Sequence, residues 1–210
     1  MVAIARSGQF NGYQTFMMMP GKYFHPPHLR PIGSGTTVAT TGARYYIVPW
    51  VFEQATVLAG AWCYNAGTGD NGDKFKMALY DEKSTGGPGA LVKNFGEGTF
   101  GATAVVNALA SSVTVAPGKY YLEFVTDNAV TMYCMAPMDV ASTVGCALPA
   151  YAANTMGTLA SPLNGTGLQD LQVAGDYVAG TYANFPEATS LTPTTSLAGV
   201  NRIPFFGLYT

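Results

Sequence analysis

Charge is what this sequence has least of. Only 10% of its 210 residues are Asp, Glu, Lys or Arg, while 48% are hydrophobic, whereas an average soluble domain is roughly 25% charged. A chain so poor in charge has little with which to keep a large free surface in water, so much of its outside is expected to be covered by other subunits. The net charge of -2 offers no general attraction to nucleic acid or to an anionic membrane, and neither is expected as a partner. The charge that exists is uneven. Nine basic residues face six acidic ones up to residue 119, and from there on Arg202 alone faces six acids. A weakly basic front and an acidic back suit head-to-tail docking of subunits, though solvated loops of random sign give the same count.

Cysteine and histidine are scarce too. Cys63, Cys134 and Cys146 are odd in number and lack a CxxC spacing, so neither a disulfide framework nor a zinc site is indicated, and free, mostly buried thiols in a reducing compartment are expected. His25 and His28 lie in the proline-stiffened HPPHLRP. They read as packing or surface histidines, or as one corner of a metal site completed by symmetry mates. In GTGDNGDK, Asp70, Asn71 and Asp73 offer oxygens suited to calcium, but the later glutamate of an EF-hand is missing and a solvated hairpin turn fits better. No metal or cofactor is expected.

Also missing are an apolar run of about 18 residues that would span a membrane and, in MVAIARSGQF, a segment of signal-peptide length. Synthesis and assembly in the cytoplasm, without membrane insertion, are the expectation. No GxSxG elbow occurs, and a catalytic triad would need His25 or His28 to reach a nucleophile from a terminal arm. The loop acids Asp70, Asp139, Asp170 and Asp176 have no spacing that pairs two carboxylates for hydrolysis. The chain is therefore read as non-enzymatic.

What is present is strand after short strand. Residues 1–34 read as an extended arm, with YQTFMMM (13–19) as a strand candidate; its Phe16, Met17, Met18 and Met19 are soft, adaptable side chains suited to a neighbouring subunit. Residues 35–210 read as one β-sandwich domain. In RYYIVPWVF, Tyr46, Val48, Trp50 and Phe52 alternate with Tyr45, Ile47 and Val51, both sets apolar, as in a strand covered on both faces. Pro49 has no N–H to donate, which places that strand at an edge or a bulge. In residues 54–65, Ala59, Gly60 and Ala61 leave room for a large neighbour, and Trp62 is assigned to the core. Phe75, Met77 and Leu79 point one way and Lys74, Lys76 and Tyr80 the other, giving a half-solvated strand. Further short strands are expected at 91–95, 99–106, 111–115, 119–126 and 129–135. In the fourth of these Tyr120, Leu122 and Phe124 face in, and Lys119, Tyr121 and Glu123 face out. Such spacing with Gly and Pro punctuation signals an all-β antiparallel sandwich or jelly roll. From 136 to 197 the chain lacks both periods and reads as a loop-rich, contact-making excursion. Residues 202–209 read as a closing strand.

Thirteen Tyr, 11 Phe and 2 Trp supply flat amphipathic rings of the kind that subunit interfaces and sugar sites both use. Tyr151, Tyr177 and Tyr182 are candidate subunit contacts, and Tyr64, Tyr80 and Tyr121 are candidate glycan contacts. The order YYIVPWVFEQATVLAGAWCYN, FKMALYDE, GGPGALVKNFGEGT, VAPGKYYLEFVTD resembles the β-sandwich modules in structural proteins of tailed bacteriophages, especially tail-fibre and related appendage proteins. Tyr80 and Asp81, residues 87–92 and residues 117–125 carry the resemblance, which spans roughly residues 20–135 and the last strand. It implies a homo-oligomeric, commonly trimeric virion part used in host attachment, in contact with copies of itself, other virion proteins and a host surface glycan. It brings no catalytic residues. The chain departs from many fibres in lacking a long shaft and a chaperone-like tail, which leaves capsid decoration and a stand-alone carbohydrate-binding module open as alternatives.

Overall fold

The computed structural model describes residues 21–26, 29–31, 37–67, 71–84, 88–101, 105–137, 176–179, 181–185 and 203–210. They form two antiparallel sheets packed face to face, a β-sandwich. The strands are β1 (Tyr23–Phe24), β2 (Leu29–Pro31), β3 (Thr37–Ala39), β4 (Arg44–Phe52), β5 (Thr56–Asn65), β6 (Lys74–Glu82) and β7 (Pro88–Thr99). They continue with β8 (Val105–Val115), β9 (Gly118–Thr126), β10 (Thr131–Pro137), β11 (Asp176–Ala179), β12 (Ile203–Pro204) and β13 (Phe206–Tyr209). One sheet has five strands in the order β11-β4-β9-β6-β7. The other has eight: β1-β13-β5-β10-β12 in line, with β8 beside β5 and with β2 and β3 beside β10.

Alternation places the core. From the five-stranded sheet Tyr46, Val48, Trp50 and Phe52, Phe75, Met77 and Leu79, and Tyr120, Leu122 and Phe124 all point between the sheets, as the period of two requires. Leu58, Ala61, Cys63, Met132, Phe206 and Leu208 meet them from the other side. At the centre Phe124 stacks on Phe206 with centroids 5.0 Å apart and planes 16° off parallel. The returning C-terminal strand is thus held by its own sheet and by the facing one.

Pro49 sits where its chemistry allows. Strand β9 pairs with β4 from Tyr46 to Phe52, but β11 pairs only with Arg44–Ile47, so among the described strands the second edge of β4 is open at Pro49 and no ladder donor is required there. The expected strand bounds hold to within two residues for β4, β5, β6 and β9. Residues 91–95 extend into the single long strand β7, which ends at Thr99, and 111–115 joins residues 105–106 in β8; the strand expected at 99–106 is not one element, since Phe100 and Gly101 belong to no strand and 102–104 lie outside the described residues. The described part of the expected arm is not free. Tyr23–Phe24 pairs with β13 and Leu29–Pro31 with β10, so these residues belong to the eight-stranded sheet despite their prolines.

A β-bulge decides which way the residues of β5 point. Pairing with β8 runs Leu58↔Val113 and then Gly60↔Ala110, so one residue is extra on β8 and the register shifts. Leu58 and Ala61, three apart, therefore share the inner face, and Trp62, expected in the core, points to the outer side of the sheet. The room left by Gly60 is filled there by the ring of Tyr209, whose Cε1 and Cζ lie 2.7 and 2.9 Å from where a Cβ would stand, with the Leu109 carbonyl oxygen also in the way. Gly60→Ala is accordingly expected to lower unfolding stability by about 2–3 kcal/mol, the range of core overpacking, measured as a shift of the urea midpoint at unchanged slope.

Candidate functional site

Charge is partitioned between the sheets. Each strand of the five-stranded sheet carries at least one charged residue, while Arg30 on β2 is the only one in the eight strands of the other. The outer face of that uncharged sheet holds a connected run of rings. Tyr209 lies 5.3 Å from Tyr23, Tyr23 meets Trp62 edge-on at 5.7 Å, and Trp62 meets Phe205 edge-on at 4.9 Å. Phe205 in turn meets Tyr64 at 6.4 Å, and Tyr64 stacks on Tyr133 at 4.7 Å with planes 22° apart. Edge-to-face and offset contacts of this kind add about 0.5–1.5 kcal/mol per pair beyond area burial.

Local backbone builds the run. Phe205 sits at the break between β12 and β13, where its carbonyl accepts from Tyr64 N at 2.9 Å and its N–H donates to Tyr133 O at 2.8 Å; it therefore bridges β5 and β10 and lays its ring over both. Trp62 Nε1 donates to both Phe24 O and Leu208 O at 3.0 Å, which ties the β1–β13 pair to β5. Gly207 lies directly under the Phe24 carbonyl, where any Cβ would collide. Burial, and then the neighbouring Tyr23, push the Tyr209 hydroxyl above its ordinary pKa. Trp62 is 4% exposed beneath its neighbours, but Tyr23 is 54% exposed, and Val57 (64%) and Val106 (40%) extend the apolar surface along β5 and β8.

The outer face of the charged sheet is closed by its own chain. Tyr45, Ile47, Ala78, Tyr80, Tyr121 and Val125 form a second buried cluster under Phe185. Residues 181–185, including a 3₁₀ turn at Tyr182–Asn184, are clasped onto it. Tyr45 Oη donates to Thr181 O at 2.7 Å, Lys76 Nζ donates to Tyr182 O at 3.1 Å and lies 4.2 Å from the Tyr182 ring centroid, and Tyr182 Oη donates to Glu97 Oε2 at 3.0 Å. Lys74 and Lys76 pair with Glu97 at 3.1 and 3.6 Å. The Lys74–Glu97 pair is well solvated and contributes little. Burial of Phe185, worth about 1.5–3 kcal/mol for such a ring, contributes more.

The expected site residues are thus separated. Tyr64 belongs to the aromatic run. Tyr80 (1% exposed) and Tyr121 (7%) are buried on the opposite side of the sandwich, so they present no ring face to a sugar. The half-solvated reading of their strands fails because a distant segment covers that face, and Glu123, expected to face water, is fully buried there. Tyr121 Oη instead donates to Glu82 Oε1 at 3.2 Å, beside the Lys119–Glu82 pair at 2.9 Å. Tyr182 contacts its own chain, and the backbone of Tyr177 pairs with Tyr46 in β11. Phe16, Met17, Met18, Met19, Tyr151, His28, Asp70 and Cys146 lie outside the described residues.

His25 packs near Phe205 at 6.0 Å, its Nδ1 3.0 Å from Pro26 O, and Asp73 accepts from Asn128 Nδ2 at 2.9 Å. Cys63 and Cys134 are buried, and burial pushes the Cys63 thiol well up, away from the reactive thiolate. Among the described residues no group of three or more His, Cys, Asp or Glu is placed to hold a metal. Reasoning from sequence picked out Tyr23 as an exposed ring, which it is, but missed Tyr133, Phe205 and Tyr209. The one usable signal was Tyr133, which stands half-buried between the buried Met132 and Cys134. Compared with protein-family models and with curated proteins, the chain matches none.

Two measurements test these arrangements. Burial alone would push the Glu97 carboxyl up, but hydrogen bonds from Lys74 and Tyr182 and the charges of Lys74 and Lys76 outweigh it and hold it below its ordinary 4.5. Burial, then the hydrogen bond and charge of Glu97, push the Tyr182 hydroxyl far above its ordinary 10.0. The contribution of Glu97 is therefore present above the usual carboxylate pKa and lost as pH falls through the lowered value, while that of Tyr182 is present below the usual phenol pKa and lost as pH rises through the raised one. The clasp is expected to protect the amides of β4 most between those limits. Phe185→Ala should release it at any pH, with a local loss of about 3 kcal/mol, whereas Tyr182→Phe should weaken it only slightly. On the other face, Trp62→Phe removes the donor shared by Phe24 and Leu208 and is expected to speed amide exchange in β1 by about 10-fold, the effect of roughly one hydrogen bond, with β6 and β9 unchanged.

Proposed function

We propose that the chain is a non-enzymatic structural protein of a tailed-phage virion: a homo-oligomeric β-sandwich appendage of the tail-fibre, host-surface-binding type, held by subunit contacts. The observation that carries this reading is the partition of charge. A sheet with one charged residue in eight strands, and with Tyr23, Val57 and Val106 exposed on it, is poorly suited to permanent contact with water and well suited to a neighbouring subunit. The sandwich fold agrees with the phage appendage modules that residues 20–135 resemble, and trimers are the symmetry that resemblance suggests. Capsid decoration is the alternative position in the particle.

A second reading has its own support. The stacked Tyr64–Tyr133 pair is half-buried, and the strands β5 and β10 that carry it contain no charged residue, which suits the face of a neutral sugar. Mass measurement at micromolar concentration decides the main proposal, with three times the chain mass or a multiple of that expected. A stable monomer that is also absent from purified particles overturns it. On a glycan array, binding lost in Tyr64→Ala and Tyr133→Ala would establish the sugar reading, and an array without signal removes it.

A further inference from the structure

Strands β7 and β8 follow one another in the chain and come together where Gly98 lies against Leu109, yet only one of them is built as a solvent edge. Strand β7 starts at Pro88, carries Lys93 and Glu97, passes through Gly96 at a φ of 99°, and departs from register with β6 three times. Proline, charge and bulges are the devices that stop an edge strand from recruiting another chain. Strand β8, VVNALASSVTV, has eleven residues without charge or proline and one register shift. Among the described strands β5 is its only hydrogen-bonded neighbour. Val106, Ala108, Ala110, Ser112 and Thr114 are exposed along it, and the exposed Val57 pairs with Thr114 on the same outer face.

We infer that β8 is a pairing edge for β8 of a second copy of this chain, so that two eight-stranded sheets join into one continuous antiparallel sheet. The inference rests on the reading above that the chain assembles with itself, and it names one surface of that assembly: a two-fold contact, separate from the threefold one that the resemblance suggests, through which one trimer meets another. A two-fold strand pair sets each residue opposite a residue of the same strand, so any charge on β8 would confront its own kind nearby. The strand has none. Two copies therefore meet without like-charge repulsion, and the strand gives a charged peptide nothing to pair with. Main-chain hydrogen bonds supply the affinity in such additions, and the small side chains Ala108 and Ala110 let the outer faces of two copies meet flush.

The double substitution Ala108→Lys and Ala110→Lys places charge on side chains that are exposed in the single chain, so folding is expected to survive while the pair repels. Leu91→Lys on β7 is the control. By sedimentation across a 100-fold dilution series, the wild type is expected to associate, the double lysine variant to weaken association by about 100-fold or more, the scale of like-charge juxtaposition at an interface, and the control to behave as wild type. Amide exchange of wild-type β8 gives a second readout independent of the variant's folding: protection should rise with protein concentration. An oligomer indifferent to the lysines, or β8 protection that is the same at every concentration, overturns this inference and leaves the assembly reading standing. A wild-type monomer throughout overturns both.

Discussion

The stack of Phe124 on Phe206 is the contact on which the rest of this molecule depends. It joins the middle of the five-stranded sheet to the last strand of the chain, both rings fully buried. Each buries an area worth about 1.5–3 kcal/mol, and the pair geometry adds to it. Phe75, between Phe124 and Phe100, extends the same cluster toward the start of β8. Once β13 is seated, Tyr209 can lie over Gly60, Phe205 can bridge β5 and β10, and Trp62 can bond the carbonyls of Phe24 and Leu208. The aromatic outer face is thus a consequence of closing the sandwich with the C-terminal strand.

Much of this was legible from alternation alone. The inward sets on β4, β6 and β9 follow from a period of two, and the doubly apolar pattern around Pro49 announces a strand with both faces covered; Tyr45 and Ile47 are indeed buried beneath Phe185. The failures have definite physical causes. Trp62 is buried as expected, but on the outer side of its sheet, because one extra residue on β8 shifts the register of β5 and a slip of one residue reverses every later side chain. Along β8 exposure alternates without a break, so the irregularity shows in β5, where Leu58 and Ala61 share the inner face. Tyr80 and Tyr121 do not face water because a segment some 60 residues or more further along the chain covers them, and periodicity reports which side a residue faces but not what lies there. Tyr23 and Tyr209 came together through the pairing of β1 with β13, a contact between opposite ends of the sequence.

The two outer faces solve one problem in different ways. Both sheets present apolar residues away from the shared core. On the charged sheet the chain supplies its own cover, and the clasp of Lys76, Glu97 and Tyr182 fixes that cover in place. The charged groups sit at its margin, where water can reach Lys74 and Glu97, so they orient the segment at small desolvation cost while Phe185 supplies the burial.

On the uncharged sheet the rings cover one another, which is enough for Trp62 but not for Tyr23, Val57 or Val106. Rings packed edge to face remain a surface, and a strand without lysine, glutamate or proline at its rim remains an edge. Were solubility of the single chain the constraint on this sheet, lysines at the exposed alanines of β8 would satisfy it without disturbing the core, because Ala108 and Ala110 point away from it. Lys93 and Glu97 occupy β7, the other long rim strand, and no counterpart occupies β8. A neutral rim next to a neutral aromatic face is what a sheet needs if its last strand is to be continued by another chain, and it is the feature through which the low charge of the whole sequence acquires a location.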